Sequence, residues 1–162
     1  MSLNAGSPLA RARARAPVPV PVPEGGNRVR KAADGEWMQA LDHERLDVYH
    51  LALDFLVFAN NVIEGLPRGR SHLADQFTRA SMSVVLNIAE GAGKVSKGDK
   101  RRYYLTARGS ATESAALLDA CLRLQLLDAA QHEGGKQMVV RIVAMLIRLA
   151  QACEEPRNGS DA

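Results

Sequence analysis

Aromatic residues are scarce in this chain, making up 4% of its 162 residues. A sheet core draws on β-branched and aromatic side chains, so this scarcity argues against one and for closely packed helices of Leu, Val, Ile, Ala and Met. Cysteine is nearly absent too. Cys121 and Cys153 form no CxxC pair and no disulfide framework, and they read as reduced core thiols of a cytoplasmic protein. No long apolar run is present. The longest, Met138 to Ala150, is broken by Arg141 and Arg148, and it falls short of the ~20 residues that span a bilayer. Neither a secretory leader nor a membrane partner is expected.

What is there divides unevenly. The chain carries +3, but residues 1–33 hold six basic side chains (Arg11, Arg13, Arg15, Arg28, Arg30, Lys31) against Glu24 alone. That segment is therefore +5 and the remainder −2, so the basic balance belongs to the tail. Alternating Ala and Arg over 10–16 leads into Pro17-Val-Pro-Val-Pro-Val-Pro23 and Gly25-Gly26. Proline at every second position fixes φ and removes N–H donors, which favours extended polyproline II. Residues 1–35 read as a disordered tail, 36–154 as a helical body and 155–162 as a polar C-terminus. An Arg-rich, acid-poor start also fits a transit peptide, or adhesion to nucleic acid or membrane.

Apolar periodicity predicts four helices. Helix 1 is expected from about Leu46 to Glu64, with an irregular lead-in from Glu36 and a face of Leu46, Tyr49, Leu53, Val57, Asn60 and Ile63. Gly65 and Pro67 end it. Helix 2 should start at Ser71 as N-cap and run to Glu90, closed by Gly91, with Leu73, Phe77, Ala80, Val84 and Ile88 facing inward. Helix 3 opens on the capping box Ser96–Asp99 and continues to about Leu127 through Tyr103, Ala107, Ser110, Ser114, Leu117, Cys121 and Leu124. Gly109 in its interior suggests close approach by another helix. Helix 4 should start between Gln131 and Lys136 and reach Cys153, with Met138, Ile142, Met145, Leu149 and Cys153 as its core stripe. Val139, Val140, Val143, Leu146 and Ile147 widen that stripe beyond one face, which points to a subunit interface. Short loops imply an all-α, antiparallel up-down-up-down four-helix bundle.

Two polar constellations stand out. The first comprises Arg79, Asn87, Glu90, Ser110 and Glu113, with Gln76 and Ser83 on the same line. If Gly91 and Ser96 end the hairpin turn, a ~1.5 Å rise per residue puts Arg79 about 18 Å down helix 2, level with Arg108. Glu113 lies about 7 Å further on, so Arg79 is expected to pair with it, and Glu90 with Arg101 or Arg102. Such a network holds helix register, or it forms a ligand or RNA site. The second is the basic run Lys94, Lys97, Lys100, Arg101, Arg102 and Arg108, with Tyr103-Tyr104 interleaved. It could neutralise phosphates while tyrosines stack on bases. Otherwise it is a solvated helix start whose tyrosines face the core. His43, His50, His72 and His132 share no metal-ligand spacing and read as single surface residues. Glu90-Gly-Ala-Gly93-Lys94 lacks P-loop spacing. With no nucleophile–base pair and no cofactor motif, binding is favoured over catalysis.

The residues Leu46-Asp-Val-Tyr49, Ala52, Leu73, Gln76, Arg79, Ala80, Ser83, Asn87-Ile-Ala-Glu-Gly91, Gly93, Ser96, Tyr104, Ala107-Arg-Gly-Ser110 and Glu113 carry a family likeness. Together they resemble the proteins encoded within 23S ribosomal RNA intervening sequences, a family related to the accessory variability determinant of diversity-generating retroelements. Val48 stands where members often have Trp, and Val85 or its neighbour where they often have Pro. The resemblance implies a ring-forming four-helix bundle, commonly a homopentamer, with no catalytic residues to carry over. In the retroelement branch it also implies binding to a reverse transcriptase and to RNA or DNA.

Overall fold

The computed structural model describes residues 40–154; the Arg/Pro tail and the C-terminal residues 155–162 lie outside the described residues, as does the lead-in before Ala40. A single 3-10 turn, Asp42–Arg45, precedes four helices: α1 (Asp47–Glu64), α2 (Ser71–Gly93), α3 (Lys97–Arg123) and α4 (Ala129–Ala152). Each helix packs on its neighbours in sequence, and α1 closes the square against α4. With short connections this is an up-down-up-down bundle.

Local chemistry sets most boundaries. Ser96 accepts from the Asp99 amide at 3.0 Å and caps α3 as expected. Asp128 and Gln131 form a reciprocal capping box that starts α4 earlier than the glycines suggest. The expected continuation of α3 to Leu127 fails. Gln125 turns to φ +56°, and the Leu126 amide reaches back to the Cys121 carbonyl at 2.8 Å, closing the last turn.

Glycines account for two further corrections. Gly91 does not close α2, which runs on to Gly93. A Cβ at Gly91 would stand 2.9 Å from Tyr104 Cε1 and 3.0 Å from Tyr103 Cβ, so glycine is what lets α3 sit this close. At Gly135, inside α4, a Cβ would lie 2.6 Å from the Phe58 ring and 2.9 Å from Leu118. Gly109 shows the opposite. It faces open space, and no helix approaches it within the described chain.

The core centre is Val48, Ala52, Phe55, Ala59 and Val62 on α1, with Leu73, Phe77, Ala80, Val84 and Ile88 on α2. From α3 come Tyr104, Ala107, Ala111, Ser114, Leu118 and Cys121, and from α4 Val139, Ile142, Leu146 and Ala150. The α2 face is as expected. On α3 and α4 Ala107, Ser114, Cys121 and Ile142 are buried as expected, but the rest of the expected stripe, and all of it on α1, is displaced: Tyr49, Leu53, Ile63, Tyr103, Leu117, Met138, Met145, Leu149 and Cys153 are half-buried, while Val57, Asn60 and Leu124 are exposed. Alanine contributes to the displacement on α1 and α3: Ala52, Ala59, Ala107 and Ala111 share the buried line with Phe55 and Leu118, so a stripe chosen for bulk alone passes over them. The surplus apolar surface of α4 is largely absorbed. Of the five residues expected to widen it, Val140 alone is exposed.

Candidate functional site

The helix 2–helix 3 seam is built from short polar side chains. Ser83 Oγ on α2 meets Ser110 Oγ on α3 at 2.9 Å. Asn87 donates to the Ser83 carbonyl at 2.8 Å and to its hydroxyl at 3.0 Å, and Ser114 donates back to the Ser110 carbonyl at 3.0 Å. The spacings 76, 83 and 87 put Gln76, Ser83 and Asn87 on one line along α2, facing α3.

Arg79 does not pair directly with Glu113. Gln76 Nε2 donates to Glu113 Oε1, and Arg79 donates to Gln76 Oε1, so glutamine stands between the two charges. The cause is orientation rather than height: Arg79 is rotated outward from the seam and exposed, and Gln76, one turn before it, takes the carboxylate. At that end His72, Leu73, Asp75, Gln76, Arg79 and Leu117 line a shallow, open groove.

Glu90 also finds other partners than expected. Its carboxylate pairs with Lys94 at 3.1 Å, one turn on, rather than with Arg101 or Arg102. Hydrogen bonds from Tyr103 and Lys94 hold its carboxyl below the ordinary range, and the same pairing raises the Lys94 ammonium. The Lys94 cation resolves why a carboxylate is tolerated in the last turn of α2.

The basic run separates into two groups. Lys94, Arg101 and Arg102 are neutralised: Arg101 bonds Glu154 at 3.0 Å across to the end of α4, and Arg102 approaches Asp99 at 3.6 Å. Lys97, Lys100 and Arg108 have no carboxylate partner among the described residues. Lys97 and Arg108 are exposed, and with Arg101 they follow spacings of four and seven along one side of α3. The tyrosines offer no free platform. Tyr104 is buried, and burial raises its phenol pKa. The Tyr103 ring already carries the Lys94 ammonium at 4.8 Å and the Arg102 guanidinium at 5.0 Å.

One polar cluster escaped the sequence reading. Asp119 on α3 receives His132 Nε2 at 2.7 Å and Lys136 Nζ at 2.9 Å, both from α4. His132 is therefore a partly covered clamp residue and not a lone surface histidine. These two contacts hold the Asp119 carboxyl below its ordinary range, the histidine contributing most. The i, i+4 spacing of His132 and Lys136 is the signal that could have found it. Among the described residues no group of three His, Cys, Asp or Glu side chains converges as metal ligands. Cys121 is buried, which raises its thiol pKa, and Cys153 is half-buried; both are free. No helix among the described residues is long and apolar enough to cross a membrane.

The profile of the family described as 23S rRNA-intervening sequence protein matches residues 44–148, which takes in all of α1 to α3 and most of α4. Among solved structures, the chain is similar to a protein of unknown function from the S23 ribosomal protein family of Bacteroides thetaiotaomicron. The two share 23% identity with a TM-score of 0.61, over 64% of this chain and 98% of that one, a likeness of fold. No curated protein matches the chain.

Proposed function

The chain belongs to the 23S rRNA-intervening sequence protein family, and from that premise we propose that it is a non-catalytic bundle that binds nucleic acid through the phosphate backbone. The observation that carries this reading is the division of the α3 basic run. Three of its cations are spent on Glu90, Glu154 and Asp99, whereas Lys97, Lys100 and Arg108 remain available to an external anion. With Tyr104 buried and the Tyr103 ring already engaged by Lys94 and Arg102, recognition rests on phosphates and carries little sequence preference. The polar seam serves to fix the register of α2 against α3, which aims this edge of α3 outward.

The test compares two charge reversals in gel shift with single-stranded RNA and DNA. K97E/K100E/R108E should abolish binding. R101E/R102E removes cations already neutralised within the fold and should weaken it less. Equal retention of binding by the first variant would rule the reading out.

A second reading has its own observation. Met82 and Leu86, four residues apart on the outer side of α2, are 40% and 58% exposed. They are the contact we assign to self-assembly, for which a ring of copies, and a reverse transcriptase partner, are extensions suggested by the family likeness. M82E/L86E should then lower the mass in sedimentation without loss of helicity. A monomeric wild-type chain would dismiss it.

A further inference from the structure

The outer side of α2 carries a second line of residues, distinct from the one that faces α3. Asp75, Arg79, Met82, Leu86, Glu90 and Gly93 are all exposed and recur at spacings of four, three, four, four and three, which keeps them on one face. The line has an apolar centre and charged ends. Met82 and Leu86 stand in the middle, Asp75 and Arg79 lie toward the start of the helix, and Glu90 and the capping residue Lys94 lie toward its end.

These groups are disposed almost symmetrically about the level of Val84. Met82 and Leu86 are two residues to either side of it, Arg79 five before and Glu90 six after, Asp75 nine before and Lys94 ten after. Matching positions therefore agree to within one residue, a rise of ~1.5 Å. Their signs are opposite: cationic Arg79 matches anionic Glu90, and anionic Asp75 matches cationic Lys94. A second α2 laid antiparallel sets Met82 against Leu86, Arg79 against Glu90 and Asp75 beside Lys94, each of them twice. Laid parallel, it sets like charges together. Flanking charges of this kind choose the orientation of a helix pair. The groups are free to engage. Arg79 and Asp75 have no ion-pair partner among the described residues. Arg79 donates to Gln76, and a guanidinium has five N–H donors. Glu90 meets Lys94 through Oε1, and a carboxylate accepts further bonds.

We propose that this face of α2 docks on the same face of a second copy of the chain, antiparallel about a two-fold axis at the level of Val84. The inference rests on the self-assembly reading of Met82 and Leu86 and gives that contact its geometry. Such a contact is isologous and closes at two copies, so a ring would need a different surface. A lone helix pair lies at the small end of specific interfaces, below about 1,200 Å² in total, so association is reversible and concentration-dependent. Lys97, Lys100 and Arg108 take no part in it.

The experiment is sedimentation equilibrium of the full chain, from micromolar to near-millimolar concentration, with circular dichroism to confirm helicity. Wild type is compared with R79E, E90R, R79E/E90R and M82E/L86E. The wild type should reach the mass of two chains. R79E and E90R each set two like-charged pairs face to face and should weaken association at least ~10-fold. R79E/E90R in one chain, and an equimolar mixture of the two single variants, restore both opposed pairs and should recover affinity to within ~3-fold of wild type. A merely structural role for either residue gives no such rescue. Should E90R lose helicity, R79E decides through salt, which screens repulsion between exposed charges and should shrink its loss. Single variants without effect, absence of rescue, or a loss in R79E indifferent to salt overturns this inference, and the self-assembly reading stands if M82E/L86E still dissociates the chain. Assemblies of more than two copies that M82E/L86E dissolves have the same meaning. A wild type that stays monomeric, or an assembly that M82E/L86E leaves intact, overturns both.

Discussion

Ser83 Oγ and Ser110 Oγ lie 2.9 Å apart, half-buried between α2 and α3, and this contact sets the register of the two helices. It brings Gln76 opposite Glu113 on one side and Gly91 against Tyr103 and Tyr104 on the other.

The hydroxyl pair should therefore show coupling in stability. S83A and S110A are each expected to cost ~0.5–1.5 kcal/mol, the net worth of an ordinary hydrogen bond. The double variant should cost less than the two added together, because each single change already removes the same hydroxyl–hydroxyl bond. Asn87 keeps its bond to the Ser83 carbonyl in all three proteins. Urea denaturation measures this, and strict additivity would show that the contact is incidental.

Two glycine-to-alanine changes on facing helices should act with opposite sign. G91A drives a methyl group into the buried Tyr104 ring and the Tyr103 Cβ. Neither neighbour is the free end of a flexible chain, so a loss of ~1–3 kcal/mol is expected. G109A meets nothing within 4 Å, and it should gain up to ~1 kcal/mol from helix propensity. Thermal unfolding of the two variants beside the wild type reads both signs. A neutral G91A would mean that α2 and α3 are not in this register.

The Asp119 clamp makes a prediction about acid. Its folded pKa is lowered by His132 and Lys136, so the native state binds this proton more weakly than the unfolded chain. Its stabilisation is then complete above the unfolded carboxyl value, near ~4, and disappears as pH falls through the lower folded value. The carboxylate is half exposed, so its worth is within the ~0.2–1 kcal/mol of screened surface pairs. D119N should lose that amount at pH 7, and the denaturant midpoints of variant and wild type should converge as pH falls through the lowered folded value. A difference that persists at low pH would assign the effect to something other than charge.

How much of this was legible depends on whether the signal is local. The α2 face could be read directly because Leu73, Phe77, Ala80, Val84 and Ile88 form one stripe opposite polar residues. The α1 face could not. Apolar residues occur nearly all round it, and the choice of Ala52 and Ala59 over Leu53 and Val57 is made by the neighbouring helices. The Ser96 cap is a contact between residues three apart and was visible. Gln125 in the left-handed region was not, since nothing in a glutamine advertises it. The basic run was visible as composition, but its division was hidden. Arg101 is neutralised by Glu154, 53 residues away, and no spacing rule reaches that far. The same is true of Gln76, whose bond to Glu113 joins residues 37 apart.

The measurement that bears most directly on the central claim is the salt dependence of binding to a single-stranded RNA of random sequence. Three phosphate contacts from Lys97, Lys100 and Arg108 alone correspond to a slope of log K on log salt of about −2. The wild-type chain should reach at least that slope, and K97E/K100E/R108E should bind too weakly to measure. A flat salt response, or binding that survives the charge reversal intact, would contradict the account.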